Sequence, residues 1–365
     1  MKFGLFLGMH YRDVNRPFND FLAEVTEMCQ YAEELGFDAV FIPEHHFINY
    51  ITNPSALALA IHIANHTKRL RLITAVIVLP YWHPLALAEE VALADHISNG
   101  RIELGVARGA NKYEFDRLGL DIRESRDMSN ESLDILLKAL TEEDFEWNGK
   151  YWKFPEMTTL PRPLQKPHPP IWITAQSPDG LRGAAKRGLN VLTSPLYGCF
   201  ADADAFQYAL GEYEKALAET GTERKEFGIL RRLYVGETRE EAELQVRDVL
   251  IHWGMYMAFF ERGGLDFRVD KSDVPLKRGA VSPARFDDLP LDNLYERYDD
   301  PILSDVEGVR KRVARWQEMG VTWLAANMAF GLPKNKVFAS MERMARYVMP
   351  EFSTSAQPVS VRKLA

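Results

Sequence analysis

Apolar segments alternate with amphipathic helical segments along most of the chain. In the helical segments, apolar side chains recur at the spacing of one helix face, as they do over residues 21–35. The apolar runs predict eight buried strands, over residues 3–7, 38–43, 70–79, 101–107, 171–175, 191–193, 227–235 and 321–327. Strands that alternate with helices form a parallel sheet, and this number of units predicts an α/β fold of the (β/α)8 TIM-barrel type.

Two segments interrupt this alternation. Residues 145–152 predict a β-hairpin with a type I′ turn at Asn148-Gly149. Residues 254–302 are rich in Gly, Asp, Arg and Pro and lack clear periodicity, which is more typical of a lid or a disordered loop than of a core element. We therefore predict one barrel domain over residues 1–350, with a lid-like loop over 254–302 before the last βα unit and a C-terminal tail over 351–365.

Capping residues predict where several helices begin. Asn53-Pro54 and Ser177-Pro178 each provide an N-cap followed by a proline at the first helical position. Ser304-Asp305-Val306-Glu307 has the spacing of a capping box, with Ser304 as the N-cap. These starts place one helix after the second strand, one after the fifth and one before the eighth.

The overall charge and the cysteine content limit the classes of function. A net charge of −8 argues against a nucleic-acid surface and against binding to anionic membranes. The apolar N-terminal stretch is too short for a signal peptide or a membrane span. Cys29 and Cys199 provide neither a disulfide framework nor metal-ligand spacing. We expect a cytoplasmic protein without membrane or nucleic-acid partners.

Polar residues follow three of the predicted strands and carry the candidate chemistry. Glu44-His45-His46, Arg108 and Ser177 each come directly after a strand, and the carboxyl ends of barrel strands form the active site in this fold. Adjacent side chains of an extended segment point to opposite faces, so only one of His45 and His46 can face a ligand. The histidines lack the two-apart spacing of metal-dependent hydrolase barrels, and we predict no metal site.

The residues alone leave the roles of Arg108 and Ser177 open. Glycines around Arg108 let a ligand approach the backbone, and its guanidinium could bind a phosphate. The residues alone favour a structural ion pair of Arg108 over this phosphate role. Ser177 at a helix N-terminus could add a donor to a phosphate site or could be a simple N-cap.

With further motifs, these residues make the chain resemble the bacterial luciferase-like family of flavin-dependent monooxygenases, including its luciferase α subunits. The likeness covers most of the first 200 residues and is weaker afterwards. The matching stretches are Met1–Gly4, Phe6-Leu7, Gly36–Asp38, Glu44–Phe47, Asn53-Pro54, Ile77–Pro80, His83-Pro84, Gly100-Arg101, Gly105, Arg108-Gly109 and Ser125-Arg126.

The resemblance implies roles for individual residues. His45 matches the catalytic histidine of the family. Further residues match positions that bind FMN, and in the family the peptide bond that corresponds to Ala75–Val76 is cis. The residues matched to the FMN phosphate are Arg108, Arg126 and Ser177, and those matched to the isoalloxazine ring are Phe6, Ala75, Val76 and Gln176.

Departures from the luciferase pattern affect the expected substrate. Ala107 stands where luciferases have a reactive cysteine, and Gln176 stands where they have a glutamate. Ser194-Pro195-Leu196 replaces a tryptophan-containing stretch. These changes argue against light emission and against a long-chain aldehyde substrate, while the phosphate-binding positions are kept.

The activity that the resemblance implies is that of an FMNH2-dependent monooxygenase. A separate NAD(P)H:flavin reductase would supply reduced FMN, and a flavin C4a-hydroperoxide would transfer one oxygen atom from O2 to a small organic substrate, for which we expect a carbonyl compound. Two alternatives stay open: an F420-dependent dehydrogenase of the same fold, and a non-catalytic flavin-binding subunit. The resemblance also implies a homodimer.

Overall fold

The computed structural model of the protein describes residues 1–11, 13–49, 51–175, 177–194, 203–246 and 302–353. Three expectations from the sequence fall largely or wholly outside these ranges. They concern the lid-like loop over 254–302, the tail beyond residue 353 and the cofactor-binding candidate Gln176.

Most of the strands in the described ranges belong to a closed parallel barrel. The strands are β1 (Lys2–Phe6), β2 (Ala39–Ile42), β3 (Arg71–Thr74), β4 (Ile77–Val78), β5 (Ile102–Ala107), β6 (Phe145–Asn148), β7 (Lys153–Met157), β8 (Ile171–Thr174), β9 (Asn190–Thr193), β10 (Phe227–Val235), β11 (Ile302–Ser304) and β12 (Trp323–Asn327). Strands β6 and β7 form a separate antiparallel hairpin. Eight of the other strands pair in the order β1-β2-β3-β5-β8-β9-β10-β12, and β12 pairs again with β1. The predicted TIM barrel is confirmed.

Helices follow most barrel strands and cover the outside of the barrel. They are α1 (Phe18–Glu34), α2 (Ala56–His66), α3 (Pro84–Ile97), α4 (Lys112–Leu118), α5 (Ser125–Thr141), α6 (Pro178–Arg187), α7 (Ala203–Thr220), α8 (239–246), α9 (Val306–Glu318), α10 (Lys334–Arg343) and α11 (Met349–Phe352). Within the described ranges, none of these helices combines the length and the apolar character needed to cross a bilayer.

Aromatic side chains fill the barrel interior. Phe41, Trp172 and Trp323 meet edge to face, with ring centroids 5.8–6.3 Å apart. Such pairs each contribute about 0.5–1.5 kcal/mol beyond their burial. We call the buried apolar residues that share this space the interior cluster; its members are Phe6, Ala39, Phe41, Ile73, Trp172, Leu192, Trp323 and Ala325. The cluster closes the barrel axis and leaves the carboxyl ends of the strands as the open mouth.

The third predicted strand, over 70–79, is interrupted in the structure. β3 ends at Thr74, a cis peptide bond joins Ala75 to Val76, and β4 begins at the next residue, Ile77. The hydroxyl of Thr74 bridges the interruption, because it donates to the Gly105 carbonyl and accepts from the Gly105 N–H, both at 2.8 Å. A Cβ at Gly105 would lie 1.9 Å from the backbone oxygen of Thr74, so this close approach requires glycine.

The predicted N-cap at Asn53 is wrong. The N-cap of α2 is Ser55, whose Oγ accepts from the N–H of Ala58 at 3.2 Å. Asn53 instead donates its side-chain amide to the carbonyl of Pro43 at 2.6 Å, and its own carbonyl accepts from the N–H of His45 at 2.9 Å. Asn53 therefore holds the segment that carries His45. These hydrogen bonds outweigh the preference of an asparagine side chain for capping a helix.

The other two predicted helix starts differ in outcome. Ser177 caps α6 as predicted, since its Oγ accepts from the N–H of Gly180 at 3.2 Å. The N-cap of α9 is Asp305 rather than Ser304, and its carboxylate accepts from the N–H of Gly308 at 2.9 Å. Ser304 still belongs to β11, so the helix begins one residue later than the capping box indicates.

The predicted hairpin is confirmed, but its type I′ turn at Asn148-Gly149 is wrong. The loop between β6 and β7 spans four residues, 149–152. Backbone N–H groups of the last three loop residues donate to the carboxylate of Glu131 on α5 at 3.1–3.2 Å. The Lys150 ammonium also donates to Glu124, just before α5, at 2.6 Å. The loop is thus shaped by carboxylates of α5 rather than by a local turn preference.

Replacing Gly105 by alanine should destabilise the protein. The new Cβ collides with backbone rather than with a flexible side chain, so we expect Gly105→Ala to lower the free energy of unfolding by about 1–3 kcal/mol or more. Urea unfolding followed by tryptophan fluorescence measures this. Gly183→Ala in α6 is the matched control, since a Cβ there meets nothing within 4 Å and should stabilise the helix slightly. Equal stability of the two variants would contradict the prediction.

Candidate active site

The candidate residues from the sequence lie along one arc of the barrel mouth. Phe6 ends β1, His45 follows β2, Ala75 follows β3, Arg108 follows β5 and Ser177 follows β8. These five strands are consecutive neighbours in the barrel, so their carboxyl ends form one continuous arc. The roles of the residues stay a prediction, but the structure brings them to one edge.

His45 pairs with a buried carboxylate. Its Nδ1 lies 2.7 Å from Oε1 of Glu114, which α4 carries to the mouth. The Glu114 side chain is only 2% exposed, while that of His45 is 28% exposed. The pair therefore has one partner inside the protein and one at the surface of the mouth, which is the arrangement of an oriented acid–base histidine.

The two partners shift each other's pKa in opposite directions. Burial lowers the pKa of His45, but the charge of Glu114 and the hydrogen bond to it outweigh burial, so the net direction is upward. Burial raises the pKa of Glu114, yet its contacts with His45 and with the His46 N–H outweigh burial and bring it below its ordinary value. Glu114 is thus held as a carboxylate, and it favours the protonated form of His45.

Further donors hold the Glu114 carboxylate in place. The hydroxyl of Tyr81 donates to Oε2 at 3.1 Å, and the side-chain amide of Asn111 donates to Oε1 at 3.3 Å. The backbone N–H of His46 donates to the same oxygen at 3.2 Å. Burial and the neighbouring Glu114 raise the pKa of Tyr81, which keeps its hydroxyl protonated as a donor.

His46 belongs to a second histidine–carboxylate pair. Its Nε2 lies 3.1 Å from Glu44, whose carboxylate also accepts from the indole N–H of Trp82 at 3.1 Å. Burial raises the pKa of Glu44, although His46 and Trp82 oppose this. The His46 ring also meets Tyr81 edge to face. The adjacent histidines thus bind different carboxylates, in agreement with the prediction that their side chains point in different directions.

Arg108 and Arg126 provide a cationic site that has no partner among the described residues. Arg126 lies in the first turn of α5, and its charge lowers the pKa of Arg108 after the larger effect of burial around the guanidinium. Within the part of the chain that the structure describes, neither side chain forms a hydrogen bond or an ion pair. Two guanidinium groups that repel each other and lack carboxylate partners suit a dianionic phosphate. The ion-pair alternative for Arg108 finds no partner in the described residues.

Ser177 lies beside this cationic site by strand register. Val106 pairs with Ile173, so Arg108 is level with Ala175, two residues before Ser177. The Ser177 oxygen accepts from the helix, which leaves the hydroxyl hydrogen free to donate elsewhere. The N-cap reading and the phosphate reading are therefore compatible.

The predicted ring-binding residues are partly brought together. Phe6 belongs to the interior cluster, and Ala75 packs against it. The Ala75–Val76 peptide bond is cis, as the resemblance implies, and both residues are half-buried at the mouth. Gln176 lies outside the described residues.

Sequence reasoning missed the residues that orient the histidines. Glu114 was not singled out, because its contact with His45 joins residues 69 positions apart. In the sequence, Tyr81 and Trp82 look like ordinary pocket or core aromatic residues. In the structure, the Tyr81 hydroxyl and the Trp82 indole N–H bind the buried carboxylates. The one sequence feature that could have indicated Glu114 is its position between two aromatic residues, in Tyr113-Glu114-Phe115.

Known proteins resemble the chain over almost its entire length. The family model of luciferase-like monooxygenases matches residues 1–322. The oxygenase component of a flavin-dependent trigonelline monooxygenase from Acinetobacter baylyi is 31% identical over 365 aligned residues, which cover 97% of this chain and 96% of that protein.

Solved structures share the fold. Monooxygenase RslO1 from Streptomyces bottropensis has a TM-score of 0.83 at 23% identity, covering 97% of this chain and 100% of that one. The oxygenating constituent of 3,6-diketocamphane monooxygenase from Pseudomonas putida, solved in complex with FMN, has a TM-score of 0.74 at 20% identity, with the same coverage. At these identities the likeness concerns the fold alone. The family match and the full-length relative show more: the chain belongs to the luciferase-like monooxygenase family and is a flavin-dependent monooxygenase.

Proposed function

We propose that the chain is the oxygenase of a two-component system that uses reduced FMN and transfers one oxygen atom from O2 to a small organic substrate. The observation that carries this proposal is the Arg108–Arg126 site, which has no partner among the described residues and lies on the same arc of the mouth as the His45–Glu114 pair. The two arginines suit a phosphate group, and the histidine–carboxylate pair suits proton transfer at the reactive end of the cofactor.

The charges of the residues fit the phosphate of FMN. Arg108 and Arg126 would hold the phosphate, with the Ser177 hydroxyl as a further donor. Gly109 has a positive φ and its missing Cβ would collide with Val78 and Phe115, so the backbone after Arg108 keeps a tight course that a larger residue would disturb. Phe6 and the Ala75–Val76 peptide would line the ring.

The role of His45 follows from its hydrogen bonds. Reduced FMN, when bound, supplies the electrons that activate O2. Glu114 occupies Nδ1 of His45, so Nε2 is the nitrogen left to give or take a proton at the reacting oxygen. Glu114 orients the ring and sets its charge but does not itself face the mouth.

The proposal also includes a partner protein, a substrate class and an oligomeric state. The relative from Acinetobacter baylyi is named as an oxygenase component, which supports a separate NAD(P)H:flavin reductase for this chain. A carbonyl compound as oxygen acceptor stays a prediction from the resemblance. A homodimer also stays a prediction; Leu93 and Ile97 on α3 are exposed apolar side chains that such an interface could cover.

The cofactor is tested by O2 uptake with each candidate in reduced form. FMNH2 should react with O2 in the presence of the protein and give oxygenated product, whereas reduced F420 should not. Hydride transfer from an alcohol to F420, without oxygenated product from FMNH2 and O2, would support the F420-dependent alternative instead. Tight flavin binding without product from any substrate would favour the non-catalytic subunit.

Removing either guanidinium should weaken FMN binding through the phosphate. A charge-assisted hydrogen bond contributes about 1.5–3 kcal/mol, so Arg108→Ala and Arg126→Ala should each lower FMN affinity by about tenfold to hundredfold. Affinity for riboflavin, which lacks the phosphate, should stay the same. Fluorescence titration measures both. Arg123→Ala is the matched control, because Arg123 is exposed and already paired with Asp121. An equal loss of riboflavin affinity would contradict a phosphate role.

Removing the His45 imidazole should uncouple the reaction. General acid–base groups contribute roughly 10²- to 10⁴-fold, so His45→Ala should lose most product while keeping FMN affinity and releasing the consumed O2 as H2O2. Product and H2O2 per flavin oxidised are the measurements. Full product yield in this variant would exclude the proposed role of His45.

Replacing Glu114 by glutamine should move the pH profile. The carboxylate raises the pKa of His45 against burial, so with a neutral amide the burial effect dominates and the pKa falls. The ionisation seen in product yield against pH should therefore move to lower pH in Glu114→Gln. Glu44→Gln should shift it less, since Glu44 contributes only a smaller charge effect to His45. Identical profiles for wild type and Glu114→Gln would show that this pair does not control the reaction.

A further inference from the structure

The barrel interior carries polar side chains at the carboxyl ends of β8, β9 and β12, of which only β8 also leads to a cofactor candidate. Alternate residues of a strand share a face, so a residue two positions past a member of the interior cluster also points inward. The polar residues placed in this way are Thr174 on β8, Ser194 directly after β9 and Asn327 on β12.

One polar atom of each of these three side chains has no hydrogen-bond partner among the described residues. Within the described ranges, Oγ1 of Thr174, Oγ of Ser194 and Oδ1 of Asn327 are buried and have no partner. Ser194 is 5% exposed and Asn327 is 6% exposed. A buried polar group without a partner destabilises a fold, so native proteins keep few of them. Three in one interior region indicate a place where a ligand supplies the missing partners.

The position of Asn327 relates this polar region to the proposed flavin ring. Strand register pairs Phe6 of β1 with Asn327 of β12, so the two residues are level and adjacent at the mouth. Phe6 is the expected contact of the isoalloxazine ring. A molecule bound at Asn327 would therefore lie beside the ring.

Building on the proposed function, we propose that Thr174, Ser194 and Asn327 form a subsite for the organic substrate, and that the head group of this substrate both donates and accepts hydrogen bonds. Oδ1 of Asn327 only accepts and needs an N–H or O–H, while the two hydroxyls can each donate to an oxygen. A carboxamide is the simplest head group that meets both needs. The head group anchors the substrate and is distinct from the atom that receives oxygen.

The subsite discriminates against alkanals and simple ketones. Their carbonyl accepts hydrogen bonds but donates none, and an alkyl chain in this region would leave the polar atoms unpartnered. A site built to hydrogen-bond a polar group rejects analogues that lack it, because its own buried groups then stay unpaired. Asn327 is thus the residue with the strongest effect on specificity.

Binding of small probes to the protein loaded with oxidised FMN tests the subsite without turnover. The probes are benzamide and nicotinamide, which donate and accept, and acetophenone and decanal, which only accept. Changes in flavin absorbance report binding. The wild type should bind the carboxamides about tenfold or more tighter than acetophenone or decanal.

Three variants locate the effect. Asn327→Leu should remove the preference for carboxamides, and Thr174→Val, which keeps shape and removes the hydroxyl, should reduce it by severalfold. Ser132→Ala is the matched control, because the Ser132 hydroxyl is also buried and unpartnered but lies on α5, outside the barrel. This control should keep the preference. Affinity for FMN should stay within about twofold in all variants.

Defined outcomes would overturn the proposal. Equal or tighter binding of acetophenone or decanal, or no carboxamide binding at about 10 mM, would exclude the subsite. Weaker FMN binding in Asn327→Leu with an unchanged probe preference would show that the polar groups serve the flavin. Failure of the wild type to bind FMN would contradict the proposed function instead. The same titration on cofactor-free protein, followed by the fluorescence of Trp172 and Trp323, would then still test the subsite.

Discussion

Two buried carboxylates determine how the mouth of this barrel is arranged. An ionised carboxylate is strongly disfavoured in the interior unless donors replace its water. Glu114 and Glu44 obtain those donors from an imidazole, a phenol, an indole and a backbone N–H that belong to separate segments of the chain. The loop after β2, the turn after β4 and the helix α4 must therefore meet around these two groups. The orientation of His45 is a result of this requirement.

The barrel and the candidate residues at its mouth could be predicted from the sequence, because short stretches of sequence are enough to indicate them. Apolar runs of strand length, separated by helical periods, predict the topology, and polar residues at the strand ends mark the mouth. Arg108 and His45 were found in this way. Ser177 was found because an N-cap followed by proline is a short-range pattern.

Tertiary contacts and inward-facing residues could not be predicted. The partner of His45 comes from a helix whose placement depends on the closed barrel. Strands of a parallel barrel are buried on both faces, so their sequences do not alternate, and nothing in Trp323–Asn327 shows which face points inward. Asn327 became visible only when the pairing with β1 fixed the register. The sequence likewise indicates Asn53 as a helix cap, and only the structure shows its hydrogen bonds to Pro43 and His45.

The contacts of the hairpin loop have a consequence for the cofactor site. The loop over 149–152 grips α5 on both sides of Arg126, through Glu124 before it and Glu131 after it. A change in the length or composition of this β-ribbon would therefore shift the first turn of α5, which carries Arg126. Under the proposed phosphate role of Arg126, sequence drift in the ribbon would alter flavin affinity without changing any group that touches the ligand.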